Sequence, residues 1–182
     1  MAGFANIHIP PDLAKAVIVG DRDATARLFQ LLSPAVLSVA WRMLGSRSAA
    51  EETLQDVFIQ VLESGGSIVH PDALLGWVRT VAINQCLMRL RSPWTSRRDS
   101  EEPAEVMDIL EGDDRMGGFA DIEKMLARLQ PETRMVVWLH DVEGYTHREI
   151  GDLMGKTPSY SKSQLSRGYE YLLTNWQSQN EN

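Results

Sequence analysis

The residue types best suited to recognition chemistry are concentrated between residues 146 and 167. Thr146 and Glu149 have the T-x-x-E spacing of a capping box, which begins a helix, and Gly155 supplies a turn after it. The predicted next helix offers hydroxyl, amide and basic side chains at its N-terminal end, namely Ser159, Tyr160, Lys162, Ser163, Gln164 and Arg167. Such side chains reach phosphates and base edges in the major groove of DNA. The stretch therefore predicts a helix-turn-helix that binds DNA, with a simple helical hairpin as the alternative.

Catalytic and metal-binding patterns are not found. The four histidines, His8, His70, His140 and His147, are dispersed, and the sequence has no HExxH, no GxSxG and no glycine-rich phosphate loop. We therefore expect a protein that is not an enzyme and that uses no metal or other cofactor. The single cysteine, Cys86, lies on an apolar helix face, and we expect it to be a small buried hydrophobe.

The elements that must position these residues are helices. Apolar residues three and four positions apart predict three of them in the first half of the chain. The first has its stripe over residues 28–43 and ends near Gly45. The second has a stripe that ends with Leu62, just before a serine and two glycines. The third is capped by Asp72 and continues until Pro93 stops it.

A change of composition divides the chain. After Ser92 the apolar period disappears, and proline, glycine, serine and acidic residues accumulate until periodicity returns near Ile122. No alternating strand pattern longer than a few residues occurs. The predicted fold is all-α, with two small helical domains joined by an acidic flexible linker, the second domain containing the helix-turn-helix. The predicted boundaries are an N-terminal extension over 1–20, a first domain over 21–93, the linker over 94–119, a second domain over 120–176 and a tail over 177–182.

Charge and hydropathy restrict the setting of the protein. The formal net charge is -7, but residues 92–119 alone carry 3 basic and 8 acidic side chains, so the sum does not exclude a DNA ligand. No stretch approaches the about 20 apolar residues of a membrane helix. The N-terminus lacks the basic patch and apolar run of a signal peptide. We expect a cytoplasmic protein without membrane insertion.

Two sets of motifs resemble the extracytoplasmic-function (ECF) sigma factors of bacterial RNA polymerase. In the second predicted domain, residues 129–134 resemble the family's LPxxxR opening, residues 143–150 its EGxxxxEI motif and residues 162–167 its VKSRLxRAR motif. In the first domain, residues 51–58 resemble the family's DAEDLVQEVF helix and residues 77–84 its WLxxIAxN helix. Both sets occur in the family's order, and their joint occurrence is specific.

The resemblance implies a sigma factor that binds core RNA polymerase and directs it to promoters. Contacts to the polymerase coiled coil are then assigned to Glu51, Glu52, Gln55, Asp56 and Phe58. Contacts to the minus-ten element are assigned to Ser67, Arg79, Asn84, Arg89 and Arg91. In this assignment Asn84 contacts an unstacked base, while the arginines hold the phosphate backbone.

The minus-thirty-five element is assigned by the same resemblance to the helix-turn-helix. The residues concerned are Thr146, Ser159, Tyr160, Lys162, Ser163, Gln164 and Arg167. The recognition helix departs from the family at Ser161, Gln164 and Tyr169, where members often have an aliphatic residue and two arginines. Fewer cations predict weaker phosphate binding and a shallower salt dependence.

The partners and one route of control follow from the same resemblance. It implies core RNA polymerase, promoter DNA and an anti-sigma factor as partners, and a monomer when the chain is free. Phosphorylation of Thr53, amid the acidic docking helix, is a second hypothesis for control. Two other functions stay open from the residues: a stand-alone helix-turn-helix regulator that binds duplex DNA without polymerase, and a polymerase-docking protein with weakened promoter reading.

Overall fold

The computed structural model describes Phe4, residues 7–91 and residues 125–180, the last four by their backbone alone. Every regular element within these residues is helical, which confirms the all-α fold class. The chain divides into two compact units, Met1–Arg89 and Leu90–Asn182. The predicted acidic linker over 94–119 lies outside the described residues.

The described part of the first unit is built on four α-helices. They are α1 (Pro11–Ile18), α2 (Arg22–Leu44), α3 (Arg47–Ser64) and α4 (Leu74–Arg91), with 3-10 turns at Gly65–Ser67 and Pro71–Ala73 between α3 and α4. The sequence pattern does not predict α1, which lies in the segment expected to be an extension. Leu13, Ala14 and Val17 bury its apolar side, and α1 packs against α2. A helix of two turns is too short for its apolar period to be recognised.

Local signals set the ends of α2 and α3. The Asp21 carboxylate accepts a hydrogen bond from the Ala24 N–H at 2.8 Å and so caps α2. Gly45 ends α2 with φ of 71°, as predicted. Ser46 then caps α3. The predicted cap of α4 is wrong, because Asp72 lies inside the Pro71–Ala73 turn and the α-helix begins later, at Leu74.

Apolar faces of α2, α3 and α4 form the core of the first unit. Its buried side chains include Leu28, Leu32, Val36, Val39 and Met43 of α2, Val57, Phe58 and Val61 of α3, and Leu74, Val78, Ala82 and Cys86 of α4. Cys86 is fully buried, which confirms the prediction, and this burial raises the pKa of its thiol to about 12. Leu62 does not belong to this core, since 66% of it is exposed.

The described part of the second unit contains α5 (Pro131–Val137), a π-helical turn (Trp138–Val142), α6 (His147–Met154) and α7 (Pro158–Asn180). Both α5 and α6 pack against α7. The crossing of α5 and α7 is close, because a Cβ at Gly168 would lie 2.6 Å from the Val137 side chain. Leu165 of α7 is buried, whereas Leu173 is 63% exposed and does not pack inward.

Candidate functional site

The predicted capping box is present at the start of α6. The Thr146 hydroxyl oxygen accepts a hydrogen bond from the Glu149 N–H at 3.3 Å. The Glu149 carboxylate accepts in return from the Thr146 N–H at 2.8 Å and from its hydroxyl at 2.7 Å. These hydrogen bonds from Thr146 lower the pKa of Glu149. The box therefore fixes the first turn of α6, as the T-x-x-E spacing predicts.

The turn between α6 and α7 is equally well defined. Gly155 has φ of 64°, and the Lys156 N–H donates to the Gly151 carbonyl at 2.8 Å. A Cβ at Gly151 would lie 2.9 Å from the Lys156 carbonyl oxygen, so only glycine fits where α6 meets the turn. The Thr157 hydroxyl then accepts from the Tyr160 N–H at 3.2 Å and caps α7. These contacts confirm the helix-turn-helix.

The first half of α7 presents a polar and basic surface. Ser159, Lys162, Ser163 and Arg167 are exposed, and these four residues are called the α7 face below. The Ser163 hydroxyl donates to the Ser159 carbonyl at 3.0 Å, so it stays close to the helix. Tyr160 is half-buried, with the Lys156 ammonium 5.5 Å from the centre of its ring. Side chains of these types suit phosphate and base-edge contacts.

The structure corrects the assignment of Gln164 to DNA reading. Its side chain is only 8% exposed, and its amide oxygen accepts a hydrogen bond from the Thr133 hydroxyl of α5 at 2.6 Å. The other two departures from the family pattern also make contacts within the unit. Ser161 is buried 3.0 Å from Nδ1 of His147, and the Tyr169 hydroxyl donates to Asp141 at 2.8 Å. Gln164 and Ser161 therefore lie on the buried side of α7 and hold it against its neighbours within the unit.

A pair of histidines that the sequence does not predict joins the π-helical turn to α6. The rings of His140 and His147 are stacked, with centres 4.6 Å apart and planes at 18°. Gly144, with φ of 75°, reverses the chain between them. Burial lowers the pKa of His147, the neighbouring charges of His140 and Lys162 lower it further, and Asp141 opposes them. The described residues contain no group of three side chains that would hold a metal ion.

The predicted polymerase-binding residues of α3 divide into two groups. Glu51, Glu52 and Gln55 are exposed, and Asp56 is half-buried. Glu51 forms an ion pair with Arg47 at 3.0 Å on the same helix. Phe58 requires correction, because it is 6% exposed and its ring packs edge-on against Phe29 with ring centres 4.8 Å apart. Phe58 therefore holds α3 against α2 and is not part of the surface.

Thr53 also requires correction. It is fully buried between the exposed acidic residues, and its hydroxyl donates to the Ala49 carbonyl at 2.7 Å. A kinase needs an exposed hydroxyl on an accessible backbone, which a buried position in the middle of α3 does not provide. The structure therefore contradicts control by phosphorylation of Thr53.

The predicted minus-ten residues lie on α4 and on the turn before it. Asn84 and Arg91 are exposed, and Arg79 is half-buried. Ser67 is exposed, and its hydroxyl donates to the Ser64 carbonyl at 2.7 Å. These placements leave Asn84 accessible to a base, as the assignment requires.

Arg89, another predicted minus-ten residue, forms ion pairs with two acidic residues of the neighbouring helix. Its guanidinium donates to the carboxylates of Glu52, at 2.6 Å, and of Asp56, both on α3. The amides of Gln60 and Gln85 connect the same two helices at 3.3 Å. Glu52 and Asp56 lie more than thirty positions before Arg89, so no local spacing pattern could have revealed this contact.

Two helical units, the second with a helix-turn-helix that exposes polar and basic side chains, define a helical DNA-binding protein. Comparison with known families gives the same result. Residues 28–95 match the family described as Sigma-70 region 2, and residues 119–172 match Sigma-70, region 4. The sigma factor CarQ of Myxococcus xanthus is 31% identical to the chain over 158 residues, which cover 84% of the chain and 89% of CarQ. The chain belongs to the ECF sigma factors of bacterial RNA polymerase.

Two solved structures share the fold. The sigma factor RpoE of Bartonella quintana, in complex with the anti-sigma factor NepR, matches 81% of this chain and 92% of its own, with a TM-score of 0.51 and 20% identity. The structure of CnrH in complex with the cytosolic domain of CnrY matches 92% of this chain and 97% of its own, with a TM-score of 0.51 and 17% identity. Among the described residues, no helix has the length and hydropathy needed to cross a membrane.

Proposed function

We propose that this sigma factor binds core RNA polymerase through α3, captures the minus-ten element with α4 and reads the minus-thirty-five element with the α7 face. The observation that carries the proposal is the helix-turn-helix within residues 119–172, where the capping box, Gly155 and the exposed α7 face occur together. The match of residues 28–95 to sigma region 2 supports the assignment of the first unit to polymerase and the minus-ten element. Its role is recruitment and strand capture, without catalysis of a reaction.

The minus-thirty-five contacts are proposed for the four residues of the α7 face. Lys162 and Arg167 neutralise phosphates, and Ser159 and Ser163 donate hydrogen bonds to phosphate or base edges. Two cations form a small electrostatic footprint, so this unit depends on polymerase for much of its affinity. Thr146 stays among the proposed contacts through its position at the exposed start of α6, although its hydroxyl is bonded to Glu149.

The minus-ten contacts are proposed for Asn84, Arg79, Arg91 and Ser67. The Asn84 amide both donates and accepts hydrogen bonds, which suits the edge of a base that has left the stack. Arg79 and Arg91 hold the backbone on either side of it. Unstacking a base costs a few kcal/mol, and such contacts recover that free energy.

The polymerase contacts are proposed for Glu51, Glu52, Gln55 and Asp56. An acidic helix face favours a basic partner surface and orients its approach.

An anti-sigma factor is proposed as a second partner because both structural neighbours are complexes with another protein, one of them a named anti-sigma factor. The free chain is proposed to be a cytoplasmic monomer, since the polymerase it serves works in the cytoplasm.

The test mixes the full chain with bacterial core RNA polymerase and measures complex formation on a sizing column. The complex is then screened for transcription from fragmented genomic DNA. We expect a stable complex that starts at discrete sites, and we expect Asn84→Ala to abolish those starts without disturbing the complex. Arg27→Ala, which removes an exposed cation from α2, is the matched surface control. A folded chain that forms no complex and binds duplex DNA alone would instead be a stand-alone regulator.

A further inference from the structure

Arg89 of α4 is held between two carboxylates of α3. Its two terminal nitrogens donate to Glu52, at 2.6 Å, and to Asp56. Glu52 and Asp56 are four positions apart, hence on the same side of α3, so one planar guanidinium reaches both. This ion pair joins a residue proposed to contact DNA to two residues proposed to contact polymerase.

The cluster works against both ligands while the chain is free. Its three charges sum to -1, so a DNA phosphate that approaches Arg89 meets two carboxylates of its own sign. The phosphate must also displace a carboxylate that is already bonded to the guanidinium. A basic partner meets the converse obstacle, because Arg89 occupies carboxylate oxygens that the partner's cations would use.

A basic surface on polymerase removes both obstacles in one step. When its lysine or arginine side chains bond to Glu52 and Asp56, Arg89 becomes available and the negative charge around it is neutralised. We infer that Arg89 couples the docking of polymerase on α3 to the binding of the DNA backbone by α4, an inference that rests on the proposed function. Because coupling between two binding sites is reciprocal, a phosphate bound at Arg89 also strengthens docking.

Because the cluster is exposed to solvent, such an exchange of partners costs little free energy. The side chain of Arg89 is 22% exposed, and those of Glu52 and Asp56 are 48% and 40% exposed. Ion pairs with this access to water contribute little to folding stability. The bond between the Gln60 and Gln85 amides joins the same helices, so α3 and α4 stay attached when Arg89 changes partner.

The first test measures the affinity of the full chain for core RNA polymerase in the absence of DNA. Arg89→Gln should tighten this affinity by about three- to tenfold, because the variant releases both carboxylates from their internal competitor. In the Glu52→Gln/Asp56→Asn background, Arg89→Gln should leave the affinity unchanged, because no carboxylate remains to be released. Arg27→Gln, which removes an exposed cation of the same unit, is the matched control.

The second test measures the salt dependence of binding to a fluorescent single-stranded DNA of random sequence. For the complex with polymerase, Arg89→Gln should reduce the slope of log affinity against log salt by about 0.7, the contribution of one phosphate contact on a single strand. For the free chain, the slope should not change. A residue with only a structural role would not produce this difference between complex and free chain.

The outcomes separate this inference from the proposed function. If the unmodified chain fails to bind core polymerase, the proposed function is wrong. If it binds, and a folded Arg89→Gln binds equally well or more weakly, the coupling alone is wrong. Should Arg89→Gln fail to fold, Arg89→Lys decides, because an ammonium lacks the planar fork of the guanidinium and holds the two carboxylates less firmly. We expect about a twofold gain in affinity for polymerase with the DNA salt slope retained, and an unchanged affinity would contradict the coupling.

Discussion

The helix pairs α6–α7 and α3–α4 present their binding residues in different ways. In α6–α7 the buried Ser161 hydrogen-bonds to His147 of the same helix pair, while the α7 face is exposed. In α3–α4 the residues proposed for two different ligands bond to each other through Arg89. A local motif therefore builds the first site, whereas contacts between distant parts of the chain build the second.

The strongest way to break this comparison is to disrupt the local motif. Gly151→Ala should lower the free energy of unfolding by about 1–3 kcal/mol, because the added methyl group would lie 2.9 Å from the Lys156 carbonyl oxygen. Gly76→Ala in α4 is the matched control, since a Cβ there meets nothing within 4 Å. That variant should gain about 0.5–1 kcal/mol. Urea unfolding followed by circular dichroism measures both, and an undiminished stability of Gly151→Ala would contradict the close contact at the turn.

Removal of the cap has a smaller effect on the same motif. Thr146→Ala should cost about 1 kcal/mol, because it removes the acceptor for the Glu149 N–H. Thr80→Ala is the control, as Thr80 is exposed within α4 and bonds only back to the Gly76 carbonyl in the contacts described. Amide hydrogen exchange over residues 147–154 should accelerate in Thr146→Ala alone. Equal exchange in the two variants would show that the capping box does not hold α6.

The contribution of the α7 face to DNA binding can be measured by the salt dependence of the affinity. In the complex with polymerase, Lys162→Ala and Arg167→Ala should each reduce the salt slope for a duplex promoter fragment by about one. Lys15→Ala, an exposed cation on α1, should leave it unchanged. Unaltered slopes in both α7 variants would remove this surface from the DNA contact.

Acid should loosen α6–α7. His147 and Glu149 have pKa values lowered in the folded state, so each stabilises the fold above its ordinary pKa, 6.5 for His147 and 4.5 for Glu149. As the pH falls below these values, the unfolded chain binds protons more readily and stability declines. After division by the intrinsic exchange rate of each amide, which itself falls with pH, the opening equilibrium over residues 147–161 should therefore rise between pH 7 and pH 5, and His147→Gln should reduce that rise. The same pH dependence in the variant would contradict the role of His147.

Sequence reasoning succeeded where neighbouring residues determine the structure. The capping box, the positive φ of Gly155 and the end of α2 at Gly45 all depend on residues within one or two turns. It failed where burial depends on distant contacts. Gln164 and Phe58 have residue types and positions that suit a surface, but Thr133 and Phe29, each about thirty positions earlier, hold them in the interior. The Arg89 cluster was missed for the same reason.

The central claim is that the chain reads promoters as part of a polymerase complex, and one measurement tests it most directly. The affinity of the chain for a duplex fragment that carries a mapped start site is measured with and without core polymerase, with core polymerase alone as the reference. We predict tight, site-specific binding only when the chain and polymerase are both present. Equally tight and specific binding by the chain alone would contradict the account and identify a stand-alone regulator.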